Sequence, residues 1–395
     1  MKLFTLFEKT FAEEPIIISA PGRINLIGEH TDYNLGLSLP AAIDKNFNIA
    51  ISKQKDNEIH LHSNAFEAYV TDLFNNQPQY GKWHTYIQGV VHMISKRYRI
   101  KGFNMYVCGN IPSGAGLSSS AALCCGAALA ISECFELNIP KKELAIIAQG
   151  SEHKFAGVQC GLMDQIASIY GSADTFLKID FNTLNIQPIL SKLKGHELIL
   201  LDTGVKHQLA STEYNTRREE CQRALKLLKE NFKEIENLQQ ATIEHLYSVL
   251  LTDTTAYTRA KFVIEENQRV ITAVQCLESK DYSQLGQLLN SSHEGLSKQY
   301  KVSCPELDSL QSIAIKYKSI LGARIMGGGF GGCTINLIKK SITSDATIEK
   351  VRAEYEKIYG FKPQCIKVKI SQGARVLDYK EKVEVNIPSP ELNIA

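Results

Sequence analysis

The chain has 395 residues, 44% hydrophobic and 22% charged, with Gly 26 and Pro 11, which excludes collagen-like, low-complexity and wholly disordered classes. Lys+Arg at 44 against Asp+Glu at 42 leaves a formal net charge of +2, so global charge gives no reason to expect nucleic acid or an anionic membrane as partner. At roughly 100–200 residues per domain, the length suggests two domains or three, enough to bury a core and form a cleft between lobes.

In chain order, residues 1–15 mix apolar positions with Lys2, Glu8, Lys9, Glu13 and Glu14, leaving no unbroken apolar signal segment. A cytoplasmic location is expected. Residues 16–19, 47–52, 58–62 and 102–108 carry β-branched and apolar residues between polar turns and predict strands. Residues 83–98 and 118–135 have helical length and periodicity. Pro140 opens a further helix to about Lys154, at the first-turn position that proline tolerates. The small-apolar run at 121–131 is too short to span a bilayer and reads as a buried helix.

From about Leu198 the texture changes. A strand at 198–202 is followed by amphipathic helices at 211–230, 256–277, 282–292 and 305–319, with strands returning at 333–338 and 364–370. These elements predict an α+β chain of two lobes, 1–185 and 186–395, the second with helices against a small antiparallel sheet. The ten cysteines sit mostly in apolar stretches, such as Cys124 and Cys125, and form no C-x-x-C pair. Reduced buried thiols are expected, and no zinc site.

Three glycine-rich segments stand out. The central one runs from Gly109 through Gly114-Ala115-Gly116-Leu117-Ser118-Ser119-Ser120, between a predicted strand and a predicted helix. Glycines that leave room for an anion, a serine able to cap the helix and the exposed N–H groups of a helix N-terminus suit a polyphosphate. An ordinary glycine turn before a serine-capped helix fits the same residues. No G-x-x-x-x-G-K-[ST] loop occurs, so this is not an ordinary P-loop.

The first segment, Ala20-Pro21-Gly22-Arg23-Ile24-Asn25-Leu26-Ile27-Gly28-Glu29-His30-Thr31-Asp32-Tyr33-Asn34, gathers Arg, Glu, His and Asp after an apolar strand. Carboxylates placed so can accept hydrogen bonds from ligand hydroxyls, although a solvated loop with local ion pairs fits equally. The third, Met326-Gly327-Gly328-Gly329-Phe330-Gly331-Gly332-Cys333, matches G-x-G-x-x-G but precedes a strand rather than opening a helix. That context excludes a dinucleotide fingerprint and leaves a loop closing over a ligand, or a turn.

In this order the three segments closely resemble those of galactokinases in the GHMP small-molecule kinase superfamily. Further matches are Gly161-Leu162-Met163-Asp164-Gln165, Glu213-Tyr214 with Arg217-Arg218, and Ser303-Cys304-Pro305-Glu306-Leu307-Asp308. The likeness runs nearly end to end. It implies an N-terminal lobe resembling ribosomal protein S5 domain 2 and a C-terminal ferredoxin-like lobe, with the active site between them. The implied activity is ATP-dependent phosphorylation of α-D-galactose at its C1 hydroxyl, the first committed step of galactose catabolism by the Leloir pathway.

By that resemblance Asp164 is the catalytic base, with Arg23 beside it to stabilise charge developing on the attacking oxygen. Galactose is held by Glu29, His30, Thr31, Asp32 and Tyr214. ATP is cradled by Gly114, Ala115, Gly116, Leu117, Ser118, Ser119 and Ser120, with Ser63 and Trp83 near the adenine. Mg²⁺ takes Ser120 and Glu152 as ligands; as a bare sequence feature Glu152 reads as an exposed helix residue. Galactose and ATP are the implied ligands, with no obligate protein partner. The alternatives are a kinase for N-acetylgalactosamine, arabinose or mevalonate, and a non-catalytic sugar sensor that binds a transcriptional repressor. The intact run from Ser118 through Ala122, together with Asp164 and Arg23, favours the catalyst.

Overall fold

The computed structural model describes residues 2–75, 77–112, 114–205, 210–378 and 383. A six-stranded sheet organises the first half, in the order Arg375–Val376, Ile16–Asn25, Pro40–Lys53, Phe103–Gly109, Glu58–Ser63 and Tyr69–Asp72. Its pairings are antiparallel except Glu58–Ser63 with Phe103–Gly109, which is parallel. Period-2 side chains such as Ile18, Ile49, Ile51 and Met105 bury one face against four helices, His84–Ser95, Ser119–Cys134, Lys141–Ser151 and Met163–Tyr170. The Ala- and Cys-rich helix Ser119–Cys134 is buried on nearly every side. Gly126 lets it settle on the sheet, since a β-carbon there would lie 2.8 Å from both Ala20 Cβ and Ile49 Cδ1. The short helix Leu3–Phe11 covers the opposite face at Ala50, Tyr106 and Cys108.

In the second half, His196–Asp202, Ile320–Ile325, Cys333–Lys339 and Gln364–Lys367 form one antiparallel sheet. Across the sheet they stand in the order second, third, first, fourth. Helices fill the connections after the first and third strands, which is the ferredoxin-like βαββαβ pattern. The longest of them, Thr254–Ser279, packs on Ala210–Asn231 and Tyr282–Glu294. The lobes are not independent bodies. One continuous core joins Ile24, Leu39, Leu117 and Phe176 to Leu200, Val270, Leu289, Met326 and Ile335. The chain then returns to the first sheet, where Arg375–Val376 pairs with Ile16–Asn25.

Several elements differ from expectation. The hairpin Thr175–Asp180 with Asn185–Leu190 runs across residue 185, so we propose a lobe division within 191–195, which keeps it whole. The helix expected over 305–319 ends at Ala314, because the chain turns at Tyr317 into the strand Ile320–Ile325. That strand escapes period-2 detection because Gly322 and the fully buried Arg324 break its apolar pattern. Of the ten cysteines, all but Cys160 and Cys365 are buried. No helix among the described residues is long and apolar enough to cross a membrane.

Gly322 meets Gly286 backbone to backbone. A β-carbon on Gly322 would lie 2.0 Å from the Gly286 carbonyl oxygen, and one on Gly286 would lie 2.3 Å from that of Leu321. Neither backbone can yield as a side chain does, so Gly322→Ala is expected to lower the unfolding free energy by about 2–3 kcal/mol in chemical denaturation. A loss below about 0.5 kcal/mol, the scale of a neutral surface change, would show that the helix Tyr282–Glu294 is free to move away.

Candidate active site

A register shift between Pro21 and Arg23 breaks the strand Ile16–Asn25 and re-aims its side chains. Gly22 is needed there, as a β-carbon would lie 2.6 Å from the Leu117 carbonyl oxygen. Arg23, 5% exposed, is thereby directed at Asp164 in the first turn of Met163–Tyr170. The pair is bidentate, Nε to Oδ1 at 2.7 Å and Nη2 to Oδ2 at 2.9 Å. Arg23 Nη1 also donates to the Gly116 carbonyl at 2.5 Å, and the Ser118 hydroxyl donates to Asp164. Burial by itself lowers the Arg23 pKa, but Asp164, Glu29 and Asp32 outweigh it and raise the net value.

These residues border a cavity of about 300 Å³ that Glu29, His30, Asp32, Glu152 and Tyr214 also line. The first and third glycine segments form its walls with the 114–120 loop. A β-carbon on Gly116 would lie 3.3 Å from the Met326 carbonyl oxygen, so the two glycine loops face each other closely. Gly114, Gly116 and Ser118 have positive φ at 77°, 69° and 57°. Ser118 occupies the N-cap position of Ser119–Cys134 but makes no cap bond; its hydroxyl is engaged by Asp164 instead.

Each carboxylate has its own setting. Glu29 Oε1 accepts from the Gly327 N–H at 2.8 Å and from both Arg324 terminal nitrogens at 3.2 Å. Asp32 is pushed up to about 7, by burial first and then by the charge of Asp164. Gly161 makes room for it, since a β-carbon there would lie 1.7 Å from Asp32 Oδ2. Glu152 sits where Lys141–Ser151 widens into a π-turn, and its Oε2 accepts from Ser120 Oγ at 2.7 Å while Oε1 accepts from Gln165 Nε2 at 2.6 Å. Burial drives its pKa up to about 7 against those hydrogen bonds.

The structure therefore brings together Arg23, Glu29, His30, Asp32, Gly116, Ser118, Ser120, Glu152, Asp164 and Tyr214 around one space. Thr31 does not line this cavity: it is fully buried, and its hydroxyl donates to the Gly28 and Leu37 carbonyls at 2.9 and 2.6 Å, where it shapes the loop. Ala115 and Leu117 point into the core, so only their backbones can face a ligand. Trp83 is a core residue stacked on Phe66 at 5.9 Å, and Ser63 ends its strand half-buried with Oγ accepting from the Ala65 N–H at 3.1 Å; neither lines the cavity. Glu152 is buried rather than exposed, because the π-turn rotates it inward.

Other contributors were missed. Arg324 lies in the strand Ile320–Ile325, which the sequence pattern did not reveal, so nothing marked it. Glu266, fully buried on Thr254–Ser279, accepts from the Gly28 N–H at 2.9 Å and so clamps the first segment from the other lobe. Nothing in its helical spacing distinguishes it. Arg218 reaches the Gln159 carbonyl at 2.9 Å, and Arg217 reaches that of Tyr300 at 2.9 Å, so the Arg217-Arg218 motif is scaffolding.

Asp32 has a measurable consequence. Its folded pKa of about 7 exceeds the ordinary 3.8, so the folded chain holds a proton that the unfolded chain releases earlier. The resulting stability is complete below about pH 4 and is lost as pH rises through about 7. Denaturation at a series of pH values is expected to show this fall in the ligand-free protein and a smaller fall in Asp32→Asn. Identical profiles for the two proteins would exclude a proton on Asp32.

Comparison with known proteins agrees with this arrangement. The family model described as the galactokinase galactose-binding signature matches residues 5–53, GHMP kinases N terminal domain matches 85–172, and GHMP kinases C terminal matches 273–357. A galactokinase of Thermotoga petrophila is 41% identical over 360 residues, covering 91% of this chain and 99% of that protein. One from Clostridium beijerinckii is 36% identical over 378 residues, covering 93% and 97%. The crystal structure of Lactococcus lactis galactokinase complexed with galactose superposes with a TM-score of 0.91 at 31% identity, covering 95% of this chain and 99% of that one. A mevalonate kinase at TM-score 0.63 and 19% identity shares the fold. The chain belongs to the galactokinase family of the GHMP kinases.

Proposed function

We propose that this chain transfers the γ-phosphoryl group of ATP to the C1 hydroxyl of α-D-galactose, giving α-D-galactose 1-phosphate and ADP. The observation that carries this reading is the bidentate Arg23–Asp164 pair at the point where the sugar-signature segment and both glycine loops border one cavity. Asp164 accepts the proton of the C1 hydroxyl as that oxygen attacks phosphorus. The Arg23 guanidinium, fixed through three hydrogen bonds, needs no reorganisation to stabilise charge developing on the same oxygen. Ser118 holds the carboxylate of Asp164 in place.

Glu29, His30, Asp32 and Tyr214 offer directional partners to the remaining hydroxyls. An epimer would leave buried groups among them unpaired, which is the physical basis for strong discrimination. The 114–120 loop and the N-terminus of Ser119–Cys134 receive the phosphates, where unpaired N–H groups and the helix dipole favour negative charge. Use of ATP fits the expected cytoplasmic location.

Ser120 and Glu152 fit Mg²⁺. A hydroxyl and a carboxylate 2.7 Å apart supply two hard oxygen donors, and a buried carboxylate pushed up to about 7 is one that a cation would stabilise. When bound there, Mg²⁺ supplies positive charge to the phosphate oxygens during transfer.

A coupled ATP assay with galactose, glucose and N-acetylgalactosamine side by side is expected to show turnover with galactose alone. Equal turnover of all three, or none with galactose, would overturn the reading. Asp164→Asn is expected to lower kcat by about 10²–10⁴ while galactose affinity stays within about threefold. Near-normal turnover would remove Asp164 as the base. Glu152→Gln is expected to raise the Mg²⁺ concentration for half-maximal activity about tenfold or more, on the scale of losing a metal-orienting group, with galactose binding by calorimetry unchanged. An unaltered Mg²⁺ requirement would take Glu152 out of the metal site.

A further inference from the structure

A hydrogen-bonded chain of four side chains runs from the cavity wall into the helical part of the C-terminal lobe. His30 Nδ1 and Tyr33 Oη are 2.8 Å apart, Tyr33 Oη and Tyr300 Oη 2.9 Å, and Tyr300 Oη and Cys221 Sγ 3.1 Å. His30, Tyr300 and Cys221 are buried, at 3%, 0% and 0% exposure. The His30 ring packs on Tyr300 and Tyr214, with centroids 4.9 and 5.3 Å away. His30 itself is held at φ 60°, a left-handed conformation that costs energy for a residue with a β-carbon.

The other ring nitrogen is the informative one. Nε2 is buried without a hydrogen-bond partner on a residue that lines the cavity. The Gly328 carbonyl is near enough to favour a proton on the ring, yet Nε2 has no partner in hydrogen-bonding geometry. A buried polar atom left open in a ligand cavity is waiting for the ligand.

Which way the chain donates decides what Nε2 offers. The imidazole is neutral, burial having lowered its pKa to about 3. A phenol O–H, with a pKa of about 10, is a far better donor than a neutral imidazole N–H, and an imidazole nitrogen, at about 6.5, is a far better acceptor than a phenol oxygen. The stronger bond is therefore Tyr33 O–H to His30 Nδ1. Tyr300 then donates to Tyr33, and the Cys221 thiol donates to Tyr300, so every proton in the chain has an acceptor. Reversed, the chain would end on sulfur, a weak acceptor.

We propose that Tyr33 and Tyr300 are positioning residues that lock His30 in the tautomer carrying its proton on Nε2, so that the site presents a fixed N–H donor to one hydroxyl oxygen of the sugar. The inference deepens the galactose reading and rests on it for the identity of the ligand. A fixed N–H cannot accept, so the hydroxyl it meets must accept from it and pass its own proton elsewhere. Glu29 and Asp32, acceptors lining the same cavity, are the partners for that proton. Tyr300 belongs to the C-terminal lobe and His30 to the N-terminal lobe, so sugar selectivity is set jointly by both.

The test uses the full chain labelled with [¹⁵N]histidine and no sugar. Long-range ¹H–¹⁵N correlation is expected to show His30 with a protonated Nε2 and a bare Nδ1, the signal being assigned by its loss in His30→Gln. Tyr33→Phe is expected to abolish the single tautomer and raise the galactose KM about tenfold, with the ATP KM within about twofold, as for loss of one hydrogen bond to substrate. Tyr300→Phe keeps the ring packing but removes the donor that turns the Tyr33 O–H toward His30, so it is expected to shift both readouts in the same direction, and it carries the test should Tyr33→Phe not fold. Among the monodeoxygalactoses, the one lacking the hydroxyl that meets His30 is expected to lose most of its penalty in the variants. A protonated Nδ1 in the unmodified protein, or variants that keep both tautomer and galactose KM, would overturn the proposal. Because the spectrum needs no turnover, failure of the galactose reading itself would be seen separately, as absent activity with the tautomer intact.

Discussion

Arg324 is a guanidinium with no exposed surface, set next to the end of the strand Ile320–Ile325 of the C-terminal lobe, and most of its bonds run to the first segment. It donates to the Leu26 carbonyl at 2.8 Å, to the Asn25 and Ile325 carbonyls, and to Glu29 Oε1. A buried charge is tolerated only when its donors are met, and removing one partner of such a pair typically costs about 3–5 kcal/mol. The fixed position of the first segment against the third glycine loop follows from this clasp. Glu29 in turn accepts from the Gly327 N–H, so the sugar-facing loop and the glycine loop share one carboxylate oxygen. Glu266 and Asn267 reinforce the arrangement from the long helix, accepting from the Gly28 and Leu37 N–H groups at 2.9 and 2.7 Å.

On that frame the cavity concentrates acidic groups in a buried space. Asp32 and Glu152 both rise to about 7, chiefly through burial, and Asp164 contributes to each. In the galactokinase reading the ligands relieve this tension, since sugar hydroxyls donate to one carboxylate and a divalent cation meets the other. In that reading the site is arranged for polar, hydroxyl-rich and phosphate-bearing ligands, and the proposed tautomer of His30 adds a donor among the acceptors. Stability is given up at these positions so that binding can recover it.

Much of the fold was legible because it rests on local rules. The helices Ser119–Cys134, Ala210–Asn231, Thr254–Ser279 and Tyr282–Glu294 lie within two or three residues of their periodic patterns. The elements that escaped are those in which packing overrides pattern. The strand Ile320–Ile325 carries Gly322 because a helix backbone abuts it, and Arg324 because the opposite lobe supplies its acceptors. The π-turn at Glu152 has no sequence signature, yet it turns a residue of solvent-exposed type inward. Thr31 shows the complementary case: a polar residue within a polar motif whose hydroxyl is bonded within its own loop.

By itself the sequence determined the order and character of the segments: two glycine loops, one cluster of Arg, Glu, His and Asp, and an aspartate opening a short helix. Such features are written locally, in turn chemistry and periodicity. Only the tertiary structure decided that Arg23 and Asp164, 141 positions apart, form a bidentate pair, and that Tyr300 lies behind His30. Those juxtapositions depend on a bulge that re-aims one side chain and on a core shared between lobes. Neither the bulge nor the shared core is encoded in the spacing of the residues they bring together.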